Sequence, residues 1–439
     1  MRNIFKVALT GIGLLFSGAA FAQFSVDGQI IQRGEYRHGY GRLINEEGDA
    51  AMFIGQRARV NAQYKMDNFK FYVSIQDVRT WGNTPQIKAT DPFLSVHEAW
   101  AETNIGSNFT LRLGRQELNY DNARFLGNLD WALQGRAHDF ALAKYEKESM
   151  KLHFGAGYNQ DEERLSGTFY TTPRQYKAAQ FVRYENVVGE KVNFSLLFWN
   201  NGLQYSVLNP ANVITEEGIR YMQTLGIPTL KYQAGNTTLS GFYYHQFGED
   251  VSGRNVNAFD ASVQVSHQLE FDPEKGNKLR LTAGFEVLSG TDNNATGNVN
   301  KSFSPLYGTN HAHNGYMDYF YVGGRHDHSV GLKDIYIRAR YDVNPALFLS
   351  LNGHSFSTYG DVYQGREELD KNLGVELDFT LGYLINDAVS VQGGYSQMFA
   401  SETMEALQNI QNPANIQNWG YIMMIYRPTM KNRFIGLLF

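Results

Sequence analysis

From residue 24 onward, apolar and polar side chains alternate with period two, in segments of about ten residues separated by turn residues. That period gives a strand two unlike faces. In Met150–Asn159 (MKLHFGAGYN), Met150, Leu152, Phe154, Ala156 and Tyr158 share one face, and Lys151, His153, Gly155, Gly157 and Asn159 the other. The stretch 54–64 sets Ala58, Val60, Ala62 and Tyr64 against Arg57, Arg59, Asn61 and Gln63. The stretch 333–342 sets Ile335, Ile337, Ala339 and Tyr341 against Tyr336, Arg338, Arg340 and Asp342. In 373–383, Leu373, Val375, Leu377, Phe379, Leu381 and Tyr383 oppose Gly374, Glu376, Asp378, Thr380 and Gly382.

Two all-β architectures fit one apolar and one polar face. A secreted sandwich or β-helix packs the apolar faces together. An outer-membrane barrel turns them to lipid and its polar faces to a lumen, and it must close, because a bilayer leaves no backbone group unpaired. Strand-like segments begin near residues 24, 52, 69, 96, 109, 138, 150, 176, 192, 228, 238, 257, 278, 334, 347, 372, 388 and 419. Short links at 66–68, 106–108, 146–149, 189–191, 235–237, 272–277, 344–346 and 386–387 are interspersed with long ones at 79–95, 119–137, 160–175, 201–227, 290–333 and 399–418. A sandwich has no reason to sort its links, whereas a barrel has short periplasmic turns and long outer loops. The expected fold is an all-β transmembrane antiparallel barrel of about eighteen strands, an even number that keeps both ends periplasmic. Arg427-Pro428 ends the last strand, and Phe434–Phe439 (FIGLLF) is expected as a tail, with one more strand as the alternative.

Composition narrows this further. The 439 residues are 43% hydrophobic, and after the N-terminus no apolar run reaches the length of a membrane-spanning helix, so a helical polytopic protein is excluded. The absence of cysteine excludes a disulfide scaffold, a Cys-ligated zinc and thiol catalysis. A net charge of −5 with no Lys/Arg-rich tail argues against nucleic acid. Arg2 and Lys6, the apolar run Val7–Phe16 and the small-x-small motif Ala20-Phe21-Ala22 predict a secretory signal peptide over residues 1–22, leaving 23–439 as the barrel. Aromatics make up 14% of the chain, and Trp81, Trp100, Trp131, Trp199 and Trp419 fall near strand ends or in loops, where interface girdles are expected. For Trp199 a core position is the alternative.

The polar faces are not a plain Ser/Thr/Asn lining. Arg57 and Arg59 stand at i, i+2, and Arg338 and Arg340 repeat that spacing. Gly114–Asp139 (GRQELNYDNARFLGNLDWALQGRAHD) holds Arg115, Arg124 and Arg136 beside Glu117, Asp121, Asp130 and Asp139. Upstream, Gln76–Trp81 carries Asp77 and Arg79, and His97–Trp100 carries Glu98. A guanidinium offers a fixed fork of donors to carboxylate, phosphate or sulfate and stays charged at any working pH. Arginines in series replace an anion's lost hydration, and acidic neighbours hold them while letting the anion leave. The competing reading is a set of cross-strand salt bridges stiffening the wall.

These residues also resemble a family. The run GRQE, then YD-x-x-RFLGNLDW, then QGR-x-HD is similar to alginate-export outer-membrane porins, in the version found in bacteroidetes-type envelopes. Arg33–Arg37 with Gly39-Tyr40-Gly41, Gln56–Arg59, Gln76–Arg79, Tyr307–His311, Gly315–Gly323, His354–Phe356 and Leu373–Asp378 extend the resemblance over nearly the whole mature chain. It implies an eighteen-stranded monomeric barrel without a cofactor, electropositive inside, covered by long loops, passing polymannuronate or alginate outward with periplasmic and inner-membrane partner proteins. By motif position it puts Arg57, Arg59, Arg115, Arg124 and Arg136 in a selective zone, with Glu98, Asp121, Asp130 and Asp139 as acidic partners. Arg79, Arg338, Arg340, Glu376 and Asp378 join the expected pore lining from the sequence itself. The substrate class is an anionic saccharide or a small organic anion.

Other constellations have blander readings. His311-x-His313 and His326-Asp327-His328 match no metal-ligand spacing and read as loop histidines. The aromatic stretch His313–Gly324 either folds into the lumen as a constriction, where rings stack on sugars, or packs on itself outside. Glu376 and Asp378 at i, i+2 are compatible with glycosidase chemistry but fit a pore wall better, and no Ser-His-Asp arrangement is legible. Three functions remain in order: an anion channel, a surface polysaccharide-binding barrel gripping ligand with loops 201–227 and 290–333, and a sugar-cleaving barrel enzyme.

Overall fold

In a computed structural model of the chain, residues 24–88, 90, 92–168, 175–322, 330–429 and 434–438 are described. The segment read as a signal peptide and the motif His326-Asp327-His328 lie outside them.

Eighteen strands build the wall: β1 (Phe24–His38), β2 (Ala51–Lys65), β3 (Phe69–Thr80), β4 (Leu94–Ile105), β5 (Phe109–Gln116), β6 (His138–Lys147), β7 (Met150–Tyr158), β8 (Ala178–Val188), β9 (Val192–Leu208), β10 (Ile214–Ala234), β11 (Thr237–Glu249), β12 (Asn255–Asp272), β13 (Asn277–Leu288), β14 (Leu332–Asn344), β15 (Leu347–Ser357), β16 (Asn372–Asn386), β17 (Val389–Ala400) and β18 (Gln417–Tyr426). Each pairs antiparallel with the next, and β18 pairs back on β1 from Ile30↔Tyr426 to His38↔Asn418. Closure leaves no edge, the condition a bilayer sets on a sheet. No helix among the described residues is long and apolar enough to cross a membrane; the strands cross it.

The expected sorting of links is present. One rim carries turns of two to four residues, for example 66–68 and 345–346, and the other carries connections of five to 43 residues. The turn rim is periplasmic and the loop rim extracellular. The alternation behaves as expected: Val60, Ile337 and Val375 are exposed on the outer face, while Arg57, Tyr336 and Glu376 are buried on the inner.

Two expectations fail. Residues 201–227 are not a long loop: β9 and β10 run on together to a turn at 209–213 and are 17 and 21 residues long, well beyond a crossing. Above the membrane both faces of this hairpin meet water, so the sequence loses its alternation although the backbone stays paired. The tryptophans do not form girdles either. Trp131, Trp199 and Trp419 are buried inside the barrel, and Trp100 points inward, stacked on Tyr72 at 5.1 Å; Trp81 alone of the five is exposed.

Part of the lumen is filled with protein. The connection 117–137 and the described stretch 289–322 fold inward, and Phe125, Leu126, Trp131, Phe303, Tyr316, Met317, Tyr319 and Phe320 join inward wall residues such as Phe140, Phe181, Trp199 and Trp419 in one apolar core. The aromatic stretch after His313 thus lies in the lumen, but its rings are buried against protein rather than free to stack on sugar. A short helix, α1 (Glu402–Leu407), capped by the Ser401 hydroxyl, sits in the outer connection before β18.

Candidate functional site

Beneath the folded-in loops, in the periplasmic half, the inner faces of β10 to β15 surround a cavity of about 500 Å³. Strand parity puts Lys231, Arg280, Arg338 and Arg340 on its wall, with Ser240, Ser262, Gln264 and Ser266 between them. Arg280 stands directly across the β13–β14 ladder from Arg340, and Thr282 across from Arg338. The ceiling is made by Asp121, Asn122, Glu286 and His313.

The charges around this cavity are unequally committed. Glu286 lies 2.7 Å from Arg124, and Asp121 lies 2.7 Å from Arg183. Arg340 is held by Asp342 at 2.7 Å and lies over the Phe348 ring. Lys231, Arg280 and Arg338 have no ion pair among the described residues. Arg280 donates to Gln268 at 3.2 Å; Arg338 donates to the His313 carbonyl at 3.1 Å and lies over the Tyr336 ring at 4.2 Å. The carboxylates are spent and three cations are not, so the cavity carries net positive potential, focused by its low-dielectric walls.

The predicted site residues divide into groups. Arg57, fully buried, reaches Asp130 at 2.6 Å and the Leu133 carbonyl at 3.2 Å. Asp130 also accepts from Arg427 through both its oxygens, at 2.7 and 2.8 Å. Burial would raise the Asp130 carboxyl, but Arg57 and then Arg427 outweigh it and hold it at about 2. Arg59 donates to Gln76 at 2.6 Å and lies 3.7 Å from Glu117; Glu98 faces inward and accepts the Glu117 amide at 3.0 Å. Arg124 lies inside the lumen, unexposed, between Asp260 (3.1 Å) and Glu286 (2.7 Å), and also donates to Asn310 and Asn314. Arg136 donates to the carbonyls of Gly127 and Gly308; burial lowers it to about 10, so it stays charged at neutral pH. These arginines fasten the folded-in loops to the wall and to one another.

Three predicted lining residues face the other way. On β3 the inward set is Tyr72, Ser74, Gln76 and Val78, so Arg79, paired with Asp77, shares the outer face with Phe71 and Ile75. On β5 the inward set is Arg112, Gly114 and Gln116, so Arg115 points outward with Leu113 and meets Asp139 of β6 at 3.0 Å, both well exposed. All three stand near the extracellular rim, outside the lumen. The motif run Gly114–Asp139 crosses from strand to loop to strand, and proximity in sequence does not keep its charges on one side of a wall.

Glu376 and Asp378 do face inward, but the segment 310–318 covers them. Glu376 accepts the Met317 amide at 2.8 Å, and Asp378 takes the Ser396 hydroxyl at 2.6 Å. Neither has the open position that substrate cleavage needs. His311 pairs with Asp318 at 2.6 Å and stacks on Trp131 with centroids 4.0 Å apart, the bland reading of that histidine. His97, Glu98 and Glu117 lie close enough to share a cation, but Arg59 stands against Glu117 and Trp100 donates to Glu98. Sequence reading passed over Lys231, Arg183 and Arg280; the alternation of Asn277–Ala283 (NKLRLTA) does place Arg280 on the polar face.

A model of the Alginate export family matches residues 23–413. The chain belongs to that family. That family is one of export proteins rather than enzymes, and this member has the fold of an outer-membrane β-barrel. It is similar in fold to a BenF-like porin from Pseudomonas fluorescens (12% identity, TM-score 0.56, covering 92% of this chain and 98% of that one). It is likewise similar to the outer-membrane protein OpdK of Pseudomonas aeruginosa (11% identity, TM-score 0.57, 92% and 98%), which has also been solved with vanillate. No curated protein matches the chain. Identities this low speak for the fold alone.

Proposed function

We propose that this family member conducts anionic saccharides of the polyuronate type, or small organic anions, and that the cationic cavity under β10–β15 receives them. What supports the reading is that Lys231, Arg280 and Arg338 face a cavity of about 500 Å³ whose carboxylates are already paired. A uronate carboxylate fits a guanidinium fork, and the Ser and Gln side chains between the cations offer partners for sugar hydroxyls. Arg57, Arg59, Arg124 and Arg136 act in this reading as fasteners of the loops that frame the passage. Residues 1–22 serve in this reading as the export signal, and the motif matches quoted above support a bacteroidetes-type member.

The test is reversal potential across planar bilayers under a salt gradient, with uronate oligomers as blockers. The unmodified barrel is expected to prefer anions and to be blocked by the oligomers. Arg280→Ser with Arg338→Ser is expected to cut both the preference and the block several-fold. Cation preference in the unmodified barrel rejects the reading, and a non-conducting barrel that retains polysaccharide on a column replaces it with surface binding.

A further inference from the structure

The strand wall ends at Tyr426, yet the chain beyond it returns into the barrel. Arg427 is buried on Gln29 and Asp130, and Thr429 donates to Asp27 at 2.9 Å. Phe434–Leu438 then crosses the periplasmic half of the lumen. Phe434 meets Phe348 of β15 edge-on at 4.9 Å. Ile435 is buried, and its backbone is clipped at both ends by one side chain: its amide donates to Gln392 Oε1 at 3.1 Å, and its carbonyl accepts from Gln392 Nε2 at 2.9 Å. Gly436, with φ +75, lies flat against the Trp131 ring where a side chain has no room. Leu437 packs on the core, and Leu438 borders the cationic cavity.

Nothing in this placement belongs to the wall. The segment forms no strand, and of its five residues Ile435 alone is fully buried. Among the described residues its backbone attachment is two hydrogen bonds to a single glutamine, neutral bonds of the kind that exchange readily with water. An apolar pentapeptide spanning a polar vestibule on so light an anchor can be removed without disturbing the barrel ladder.

We propose that Phe434–Leu438 is a stopper built into the chain, barring the periplasmic half of the lumen until it leaves Gln392. This rests on the reading of the barrel as a conduit. Two proteins test it in planar bilayers beside the unmodified one: the chain ended after Thr429, and the full chain with Gln392→Ala. The shortened barrel is expected to conduct at least about three-fold more, and Gln392→Ala to reach that higher level for a larger fraction of time. In the shortened background, Gln392→Ala is expected to add nothing. A shortened, folded barrel that conducts like the full chain overturns the stopper. If the shortened chain does not assemble, Gln392→Ala decides, raised conductance supporting the stopper and unchanged conductance overturning it. Ion preference is read from the same records, so cation selectivity would reject the anionic substrate while leaving the stopper intact.

Discussion

Arg427 grips both oxygens of Asp130, at 2.7 and 2.8 Å, across 297 positions of sequence. One residue follows the last strand and the other lies on a loop that enters from the opposite rim. Arg57 of β2 completes the cluster at 2.6 Å. A single carboxylate therefore ties the wall, the folded-in loop and the chain after β18 together.

Asp130→Asn keeps the shape and removes the negative charge that the buried guanidiniums of Arg57 and Arg427 share. Breaking a buried pair on one side costs about 3–5 kcal/mol. The urea midpoint of the folded barrel, followed by heat-modifiable migration on gels, is expected to fall accordingly. A midpoint equal to that of the unmodified protein would show that the cluster contributes little.

Arg79 and Arg115 give the opposite expectation. Both point outward near the extracellular rim, each on a neighbouring aspartate, Arg115–Asp139 exposed and Arg79–Asp77 partly so, and ion pairs open to solvent are worth about 0–1 kcal/mol. Arg79→Ser and Arg115→Ser should leave ion preference, conductance and stability unchanged, in contrast to Arg280→Ser with Arg338→Ser. A loss of anion preference in Arg115→Ser would return this residue to the pathway.

The contrast marks how far the sequence was legible. Period two located the wall strands to within a few residues, except for β10, because lipid on one side and protein or water on the other write different residues on the two faces. Parity applied along β3 and β5 would also have turned Arg79 and Arg115 outward, since Phe71, Ile75 and Leu113 are on the same faces. The interior was not legible. Tyr316, Met317, Tyr319 and Phe320 form an apolar run with no period, so nothing local says whether it packs inside or outside. The pairing of Arg124 with Asp260 and Glu286 joins positions 136 and more residues apart, which a single sequence does not encode as a pattern.

Gly315 brings the inward loop directly against the wall. Its φ is +79, and a β-carbon there would come 2.5 Å from Glu376 Oε1. Gly315→Ala meets both a backbone cost and a clash with a carboxylate that already accepts the Met317 amide. A loss of about 1–3 kcal/mol is expected, and hydrogen exchange of the amides in 310–318 should quicken more than that of the strands. Uniform exchange across the barrel would mean that the loop is not fastened at this point.

His313 makes the same loop sensitive to acid. The ring is buried at the top of the cavity, its Nε2 has no hydrogen-bond partner among the described residues, and its neighbours include Arg124 and Arg338. Burial first, and then those two cations, hold it well below the ordinary 6.5, with a backbone contact to Asn122 opposing. The unfolded chain takes up a proton below that ordinary value and the folded chain does not, so stability falls as pH drops below about 6.5, by up to about 1.4 kcal/mol per pH unit from this group. Asp130 acts in a separate window: its carboxyl is held at about 2 instead of 3.8, so its contribution is complete above 3.8 and disappears on the way down to 2. Urea midpoints at pH 7 and pH 5 separate the two groups. The unmodified barrel should lose stability between these values, and His313→Gln should lose distinctly less, because no proton is then taken up on unfolding at this position. Equal losses in the two proteins would show that His313 is protonated in the folded barrel, with its charge accommodated beside Arg124 and Arg338.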